Sequence, residues 1–230
     1  SKVPSGATGP YDVSAQGDNS IRAWYTVRYT GSGPAYTVYI ASDDTIYANP
    51  DSSYLFACMY KLVTIVNMDL LNTSKVTNMS YMFYSCGASS GESLNLGNDF
   101  DTSEVTNMSH MFEKSGLDKF DLVNNFDTSK VTNMSYMFAD ITIDATTYTS
   151  FSLGDRFDTS SVMDMSYMFY RMKFQTQYST TDTSFDLGDN FDTSNVTDMR
   201  YMFYECGRQS MISLDLGPAF RNISNNWSGI

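Results

Sequence analysis

The chain has 230 residues, of which 42% are apolar, 15% aromatic and only 17% charged. Fourteen basic against 26 acidic residues give a formal net charge of −12, which argues against nucleic acid and anionic membrane surfaces as partners. No apolar run approaches the roughly 18–20 residues of a membrane span, so we expect no direct membrane insertion. A chain this acidic suits neutral sugars, basic protein surfaces or divalent cations.

The first 50 residues lack the pattern that dominates the rest of the chain. Residues 1–20 are rich in Gly, Ser and Pro without periodicity, which predicts a flexible linker. The stretches "IRAWYTVRYT" and "AYTVYIAS", separated by "GSGP", predict a β-hairpin within residues 21–50. We expect this hairpin to cap the repeats that follow, because the open end of a repeat array exposes apolar core.

A 12-residue block then recurs five times, and internal repeats of this kind dictate the architecture. The copies are "NTSKVTNMSYMF" (72–83), "DTSEVTNMSHMF" (101–112), "DTSKVTNMSYMF" (127–138), "DTSSVMDMSYMF" (158–169) and "DTSNVTDMRYMF" (192–203). Successive closing phenylalanines lie 29, 26, 31 and 34 residues apart, so the unit is about 26 residues long with insertions. "DSSYLF" (51–56) imitates the end of the block and predicts an earlier, degenerate unit.

Each unit is expected to contain one strand and one helix. Five short alternations predict very short strands: "SLNLG" (93–97), "KFDLV" (119–123), "SFSLG" (150–154), "SFDLG" (184–188) and "SLDLG" (213–217). In the block, Asp or Asn, Thr and Ser suit a helix N-terminus, and Val105, Met108, Met111 and Phe112 would share one helical face.

These elements predict the fold class α/β: a leucine-rich-repeat-like solenoid with one short parallel strand and one short helix per ~26-residue repeat, and an N-terminal β-hairpin cap. The solenoid, of about six repeats, spans residues 51–217, and residues 218–230 form a truncated or capping C-terminal repeat.

The repeated Met-x-x-Met pair has two interpretations. Thioether sulfurs are soft ligands for Cu(I), but Val and Phe complete the same face and no unit adds a matching His or Cys. We therefore predict that these methionines form a core ladder. The three cysteines are predicted to be buried free thiols, with a bridge between Cys58 and Cys86 as the alternative.

The recurring aspartates also have two interpretations. Asp155, Asp158, Asp189 and Asp192 are weak candidates for Ca²⁺, because stacked carboxylates can collect this ion between repeats. Helix capping explains the same aspartates, and Asn72 at the equivalent position favours it. We predict no obligatory cofactor.

Two surfaces are candidate ligand sites. Tyr136, Tyr167 and Tyr201 share one repeat position with Tyr81 and His110, forming a row that could stack on sugar rings or on itself. The insertions 139–150 and 170–184 should project side by side, as ligand-binding or merely tolerated loops. Their aromatic and amide candidates are Tyr148, Phe174, Gln175, Gln177 and Tyr178.

No catalytic machinery is predicted. The single histidine, His110, stands where other units have tyrosine, and no nucleophile elbow, phosphate loop or zinc-ligand spacing occurs. The many carboxylates occupy positions that the repeat itself explains. We expect a protein that is not an enzyme.

The repeated unit closely resembles the bacterial surface-protein 26-residue repeat, a BspA-like family, over residues 51–217. Met163, Arg200 and His110 depart from its pattern, as do the two insertions. The resemblance implies a leucine-rich-repeat-like fold and an extracellular location on the bacterial cell surface, although neither a signal peptide nor an anchor is visible in this chain. It implies a non-catalytic binding module, an adhesin ectodomain that recognises a host matrix protein or glycan. The alternative is a rigid structural spacer without a ligand of its own.

Overall fold

A computed structural model describes most of the chain, which divides into two compact units, Ser1–Tyr47 and Ala48–Ile230. The described residues are 5–13, 17–18, 20–30, 33–60, 68–87, 93–94, 96, 100–116, 119–120, 126–144, 150–154, 156–175, 183–208 and 211–221.

The first unit contains an antiparallel sheet. Its strands β1 (Thr8–Asp12), β2 (Ile21–Thr30) and β3 (Gly33–Ser42) lie in the order β1-β2-β3, and Ile46–Tyr47 forms the short strand β4. β2 and β3 pair without a register shift, from Ile21 opposite Ser42 to Thr30 opposite Gly33. The predicted hairpin is therefore present. Its role as a cap and the predicted domain boundaries stay predictions, and β1 falls inside the 1–20 segment.

The second unit contains short strands in separate sheets. They are β5 (Leu71–Asn72), β6 (Ser93–Leu94), β7 (Lys119–Phe120), β8 (Thr142–Asp144), β9 (Ser150–Ser152), β10 (Lys173–Gln175), β11 (Thr183–Asp186) and β12 (Met211–Asp215). β6 pairs with β7, β8 with β10, and β11 with both β9 and β12, all in parallel. Strands β6, β7, β9, β11 and β12 occur where the alternating stretches place them.

The predicted α/β, leucine-rich-repeat-like solenoid with one helix per repeat is wrong. The only helical residues in the described part of the chain are the 3₁₀ turn Met68–Leu70, and the strands form small separate sheets. No described helix is long and apolar enough to cross a bilayer.

The backbone at the end of each block explains why no helix forms. The aromatic residue two places before the closing Phe and the residue two places after it have φ between +50° and +61°, which a right-handed helix excludes. The first set is Tyr54, Tyr81, His110, Tyr136, Tyr167 and Tyr201, and the second is Cys58, Ser85, Lys114, Asp140, Arg171 and Glu205.

These left-handed residues belong to what we call the turn ladder, the segments 51–58, 78–85, 107–114, 133–140, 164–171 and 198–205. Within segment 133–140, the N–H groups of Met137 and Ala139 close β-turns to Met134 O and Tyr136 O, at 3.2 and 3.1 Å, and the N–H of Ser135 donates to Asn133 Oδ1 at 2.9 Å. The intervening N–H groups donate to carbonyls of the next segment. For segment 133–140 these bonds are Met134 to Asp164, Tyr136 to Ser166, Phe138 to Met168 and Asp140 to Tyr170, at 2.7–3.0 Å. The same four bonds recur at each junction between neighbouring segments.

The core is continuous along the turn ladder. The closing phenylalanines Phe56, Phe83, Phe112, Phe138, Phe169 and Phe203 stack on one another with centroids 5.4–5.8 Å apart. All ten methionines of the repeated pairs are buried, with at most 5% exposure. The prediction that they form the core is confirmed, and apolar burial of this kind is the main stabilising term.

A second ladder runs through the buried threonines of the "DTS" motif. Thr128 Oγ1 donates to Asp158 O at 2.7 Å, and Thr102 and Thr159 repeat the bond toward the next unit. The Asp127 side chain accepts the N–H of Ser129 at 2.9 Å. The aspartate thus closes a local turn of the Asx type, in place of the predicted helix cap.

All three cysteines are free thiols: Cys58 is exposed, Cys86 buried and Cys206 half-buried. The Cys58–Cys86 bridge is not formed, and the prediction of burial fails for Cys58. Burial raises the pKa of Cys86 to about 11, so this thiol stays protonated and unreactive near neutral pH.

Replacing Thr128 by Val tests the threonine ladder. The change keeps the shape but removes the donor to Asp158 O in a fully buried site, so we expect the free energy of unfolding to fall by about 1–3 kcal/mol. Thr106→Val is the matched control, because Thr106 is exposed and its bond to Thr77 O is longer, at 3.2 Å. Urea unfolding of both variants measures the difference, and equal losses would contradict a special role for the buried hydroxyl.

Candidate ligand-binding surfaces

The two insertions begin side by side. β8 of the first insertion and β10 of the second pair in parallel, with Lys173 opposite Thr142, Phe174 opposite Ile143 and Gln175 opposite Asp144. The described parts of the two insertions therefore lie side by side, as their occurrence in successive repeats predicts.

The predicted site residues of this region have different positions. Phe174 is 1% exposed and packs against Phe185, with centroids 6.0 Å apart, so its side chain belongs to the core. Gln175 ends β10. Tyr148, Gln177 and Tyr178 lie outside the described residues. A ligand-binding role for these five residues stays a prediction.

The aromatic row is a stack. Tyr54, Tyr81, His110, Tyr136, Tyr167 and Tyr201 lie face to face, with centroids 4.2–5.0 Å apart. Of the two alternatives for this row, the structure bears out stacking of the row on itself. The faces of the inner rings Tyr136 and Tyr167 are covered, so a ligand could reach only their edges. One face of Tyr201 has no stacked member of the row.

His110 is a member of this stack and also belongs to a cluster of charged side chains. The buried Glu113 carboxylate contacts His110 Nδ1 at 2.5 Å and Lys114 Nζ at 2.9 Å, and Lys114 Nζ also contacts Tyr84 Oη at 3.3 Å. Burial alone would raise the pKa of Glu113, but the hydrogen bonds from His110 and Lys114 outweigh it and hold that pKa below its ordinary value. The cluster is therefore a group of charged side chains that satisfy one another locally.

A cationic cleft lies next to the second insertion. It has a volume of about 340 Å³ and is lined by Arg171, Lys173, Glu205 and Arg208. Arg171 and Glu205 occupy the same left-handed position in successive segments of the turn ladder, and Lys173 begins β10. Two neighbouring repeats therefore build the cleft, with three cations and one carboxylate.

The charges in this cleft are only partly neutralised. Arg171 Nε lies 3.7 Å from Asp140 Oδ1 and 3.5 Å from Glu205 Oε2, and Arg208 Nη1 lies 3.0 Å from Glu205 Oε1. All three cations are exposed. Counting both carboxylates, the cluster keeps one net positive charge within a chain of net charge −12.

Aromatic rings adjoin these cations. The Arg171 guanidinium lies over the Tyr170 ring at 5.9 Å, and Tyr170 stacks on Tyr204 with centroids 5.5 Å apart. Cations beside partly exposed rings can hold an anionic group and a sugar face together.

Sequence reasoning missed this cleft. Aligning the repeats by their closing Phe places Asp140, Arg171 and Glu205 at one position, and the alternation of their charges is the signal that could have revealed it.

The calcium candidates that the structure describes are Asp158, Asp189 and Asp192. Asp158 and Asp192 each accept the N–H of the serine two residues later, at 2.8 Å, while Asp189 is exposed. Asp155 lies outside the described residues. Within the described ranges, no three His, Cys, Asp or Glu side chains come together as a metal site would require.

The pH dependence of stability tests the Glu113 cluster. The folded-state pKa of Glu113 is lowered, so near the ordinary glutamate pKa of about 4.3 the unfolded chain binds more protons than the folded chain. Glu113 therefore stabilises the folded chain above that pH. This stabilisation is lost as the pH falls through the folded-state pKa. We expect Glu113→Gln to lower the melting temperature at pH 7 and to flatten its decline toward pH 3. Glu104→Gln, at an exposed ion pair, should keep the wild-type profile. Parallel profiles for wild type and Glu113→Gln would contradict the assignment.

Comparison with known proteins places these segments in one family. Residues 51–180, and again residues 88–206, match the family described as "Mycoplasma protein of unknown function, DUF285". No curated protein and no solved structure matches the chain. The matched residues cover more than half of the chain and include the whole turn ladder up to Glu205. The chain therefore belongs to the DUF285 family.

Proposed function

We propose that the chain is a non-catalytic binding module of an exported bacterial surface protein, an adhesin ectodomain, and that the cationic cleft beside the insertions binds its ligand. The observation that carries this proposal is the cleft itself. Arg171, Lys173 and Arg208 converge there from two repeats of an acidic chain, beside the parallel pair β8–β10. The resemblance of the repeat to BspA-like surface proteins supports the extracellular location on the bacterial surface.

The chemistry of the cleft favours an acidic glycan of the host matrix. Exposed guanidinium and ammonium groups donate charge-assisted hydrogen bonds to carboxylate or sulfate, and the half-buried Tyr170 and the exposed Tyr204 add aromatic surface for a sugar ring. The overall negative charge of the chain repels such a ligand elsewhere. Binding should therefore be localised at the cleft and weakened by salt.

The alternative function is a rigid structural spacer without a ligand of its own. The uniformity of the turn ladder favours this candidate, since every junction carries the same four backbone hydrogen bonds and the same two aromatic stacks. A spacer, however, does not require three cations to converge at one place.

Charge reversal in the cleft tests the binding proposal. The purified chain is screened on an array of sulfated, uronate-bearing and neutral glycans together with matrix proteins. The variant Lys173→Glu with Arg208→Glu should weaken binding to acidic glycans about tenfold or more, because each lost charge-assisted contact is worth about 1.5–3 kcal/mol.

A control variant carries the same change of net charge elsewhere. Lys75→Glu with Lys130→Glu alters two exposed lysines outside the cleft and should retain most of the affinity. Equal losses in both variants would mean that only long-range electrostatics act, which contradicts a site at the cleft. Binding to none of the arrayed molecules would favour the spacer.

A further inference from the structure

Glu205 brings a carboxylate of the chain itself into the cationic cleft. Glu205 Oε2 lies 3.5 Å from Arg171 Nε, and Glu205 Oε1 lies 3.0 Å from Arg208 Nη1. The Glu205 side chain is 32% exposed and is one of the side chains that line the cleft. Two of the three cations therefore already share an anion before any ligand arrives.

The turn ladder keeps this carboxylate in place. The N–H of Arg171 donates to Tyr204 O at 2.8 Å, which makes the left-handed residues Arg171 and Glu205 neighbours across a repeat junction. Arg208 follows Glu205 by three residues and hydrogen-bonds to its carboxylate. Because the backbone fixes where the Glu205 side chain begins, we expect the carboxylate to stay near both guanidinium groups when a ligand enters.

A fixed carboxylate changes which anions the cleft can hold. The three cations, together with the carboxylates of Asp140 and Glu205, leave one net positive charge, which balances one anionic group of a ligand. A second anionic group that reaches the guanidinium of Arg171 or Arg208 comes close to Glu205, because Glu205 contacts both. Like charges at such short separations repel each other.

The aromatic rings beside the cleft favour a carboxylate that is bonded directly to a sugar ring. The Arg171 guanidinium lies over the Tyr170 ring at 5.9 Å, and Tyr170 stacks on Tyr204. A uronate presents its single charge next to the face of its own ring, so one sugar can contact a cation and an aromatic ring together.

We propose that Glu205 is a specificity-determining residue, which makes the cleft select glycans with isolated uronate carboxylates over glycans with dense sulfate groups. This inference rests on the proposed function, since it assigns the selectivity of the same cleft. Without Glu205, three cations would favour the ligand with the most charge. With Glu205 in place, affinity stops rising with the number of anionic groups.

Two hexasaccharide probes test the proposal on the wild-type chain. Both are built from uronate-bearing disaccharides, and only one of them carries sulfate on every disaccharide. Isothermal titration calorimetry at one salt concentration compares their dissociation constants. We expect the unsulfated probe to bind at least as tightly as the sulfated probe. Tighter binding of the sulfated probe would overturn the proposal without any variant.

The variant Glu205→Gln removes the charge and keeps the shape of the side chain. The net charge of the cluster then rises from one to two, and the donors of Arg171 and Arg208 become available to a second anionic group. We expect the affinity for the sulfated probe to rise about fivefold more than the affinity for the unsulfated probe, which is the upper range for an exposed ion pair. An unchanged ratio of affinities would refute the role of Glu205. Thermal unfolding verifies that the variant folds.

Asp140→Asn is the matched control. It makes the same change of net charge, but Asp140 lies in the preceding segment of the turn ladder, 3.7 Å from Arg171 Nε. This variant should leave the ratio of the two affinities near the wild-type value. Equal shifts of the ratio in both variants would mean that only the total charge acts, which contradicts a specific role of Glu205.

The same titrations separate a failure of this inference from a failure of the proposed function. A wild-type chain that binds neither probe would remove the proposed function, and this inference with it. A wild-type chain that binds both probes but prefers the sulfated one would remove only the inference about Glu205.

Discussion

The structure of the second unit depends on the alternation of backbone hydrogen bonds in the turn ladder. A left-handed residue at two positions per segment turns successive amides in different directions, so that one N–H closes a local turn and the next reaches the neighbouring repeat. A left-handed conformation in a non-glycine residue costs of the order of 1 kcal/mol. The inter-repeat hydrogen bonds formed by the N–H groups of Tyr136 and Asp140 offset that cost. Stacking of the Tyr136 ring on Tyr167 offsets it further.

This backbone also determines which side chains are buried. Val131, Met134, Met137 and Phe138 are all fully buried, although they lie on successive turns and not on a helix. Flexible methionines suit such an irregular backbone, because they fill gaps that branched side chains would leave. The phenylalanine stack then links each repeat to its neighbours, so no repeat has to be stable alone.

The sequence predicts the composition of the core, the hairpin and the short parallel strands correctly, because apolar spacing determines each of them. It does not predict the turns. The spacing of Val131, Met134, Met137 and Phe138 fits a helical face, and a sequence pattern carries no direct signal for a positive φ at tyrosine, which rarely adopts one. The hydrogen bonds to the next repeat and the stacking of the rings stabilise that conformation, and both are tertiary contacts.

The candidate site is less predictable than the core. The insertions are recognisable by length, and their side-by-side start follows from the repeat. The cleft is not recognisable, because Arg171 and Arg208 belong to different repeats and meet only after these stack. Phe174 shows the opposite error: an aromatic residue in an insertion suggests recognition, but the side chain completes the core.

The turn ladder separates the length of a repeat from its stability. The junctions span repeats whose closing phenylalanines lie 26 to 34 residues apart, and the four bonds are the same at every junction. Residues inserted between one segment and the next therefore do not shift the register of the following repeat. Such a scaffold can gain, lose or exchange whole loops while its core sequence is retained, which leaves the loops free to diversify.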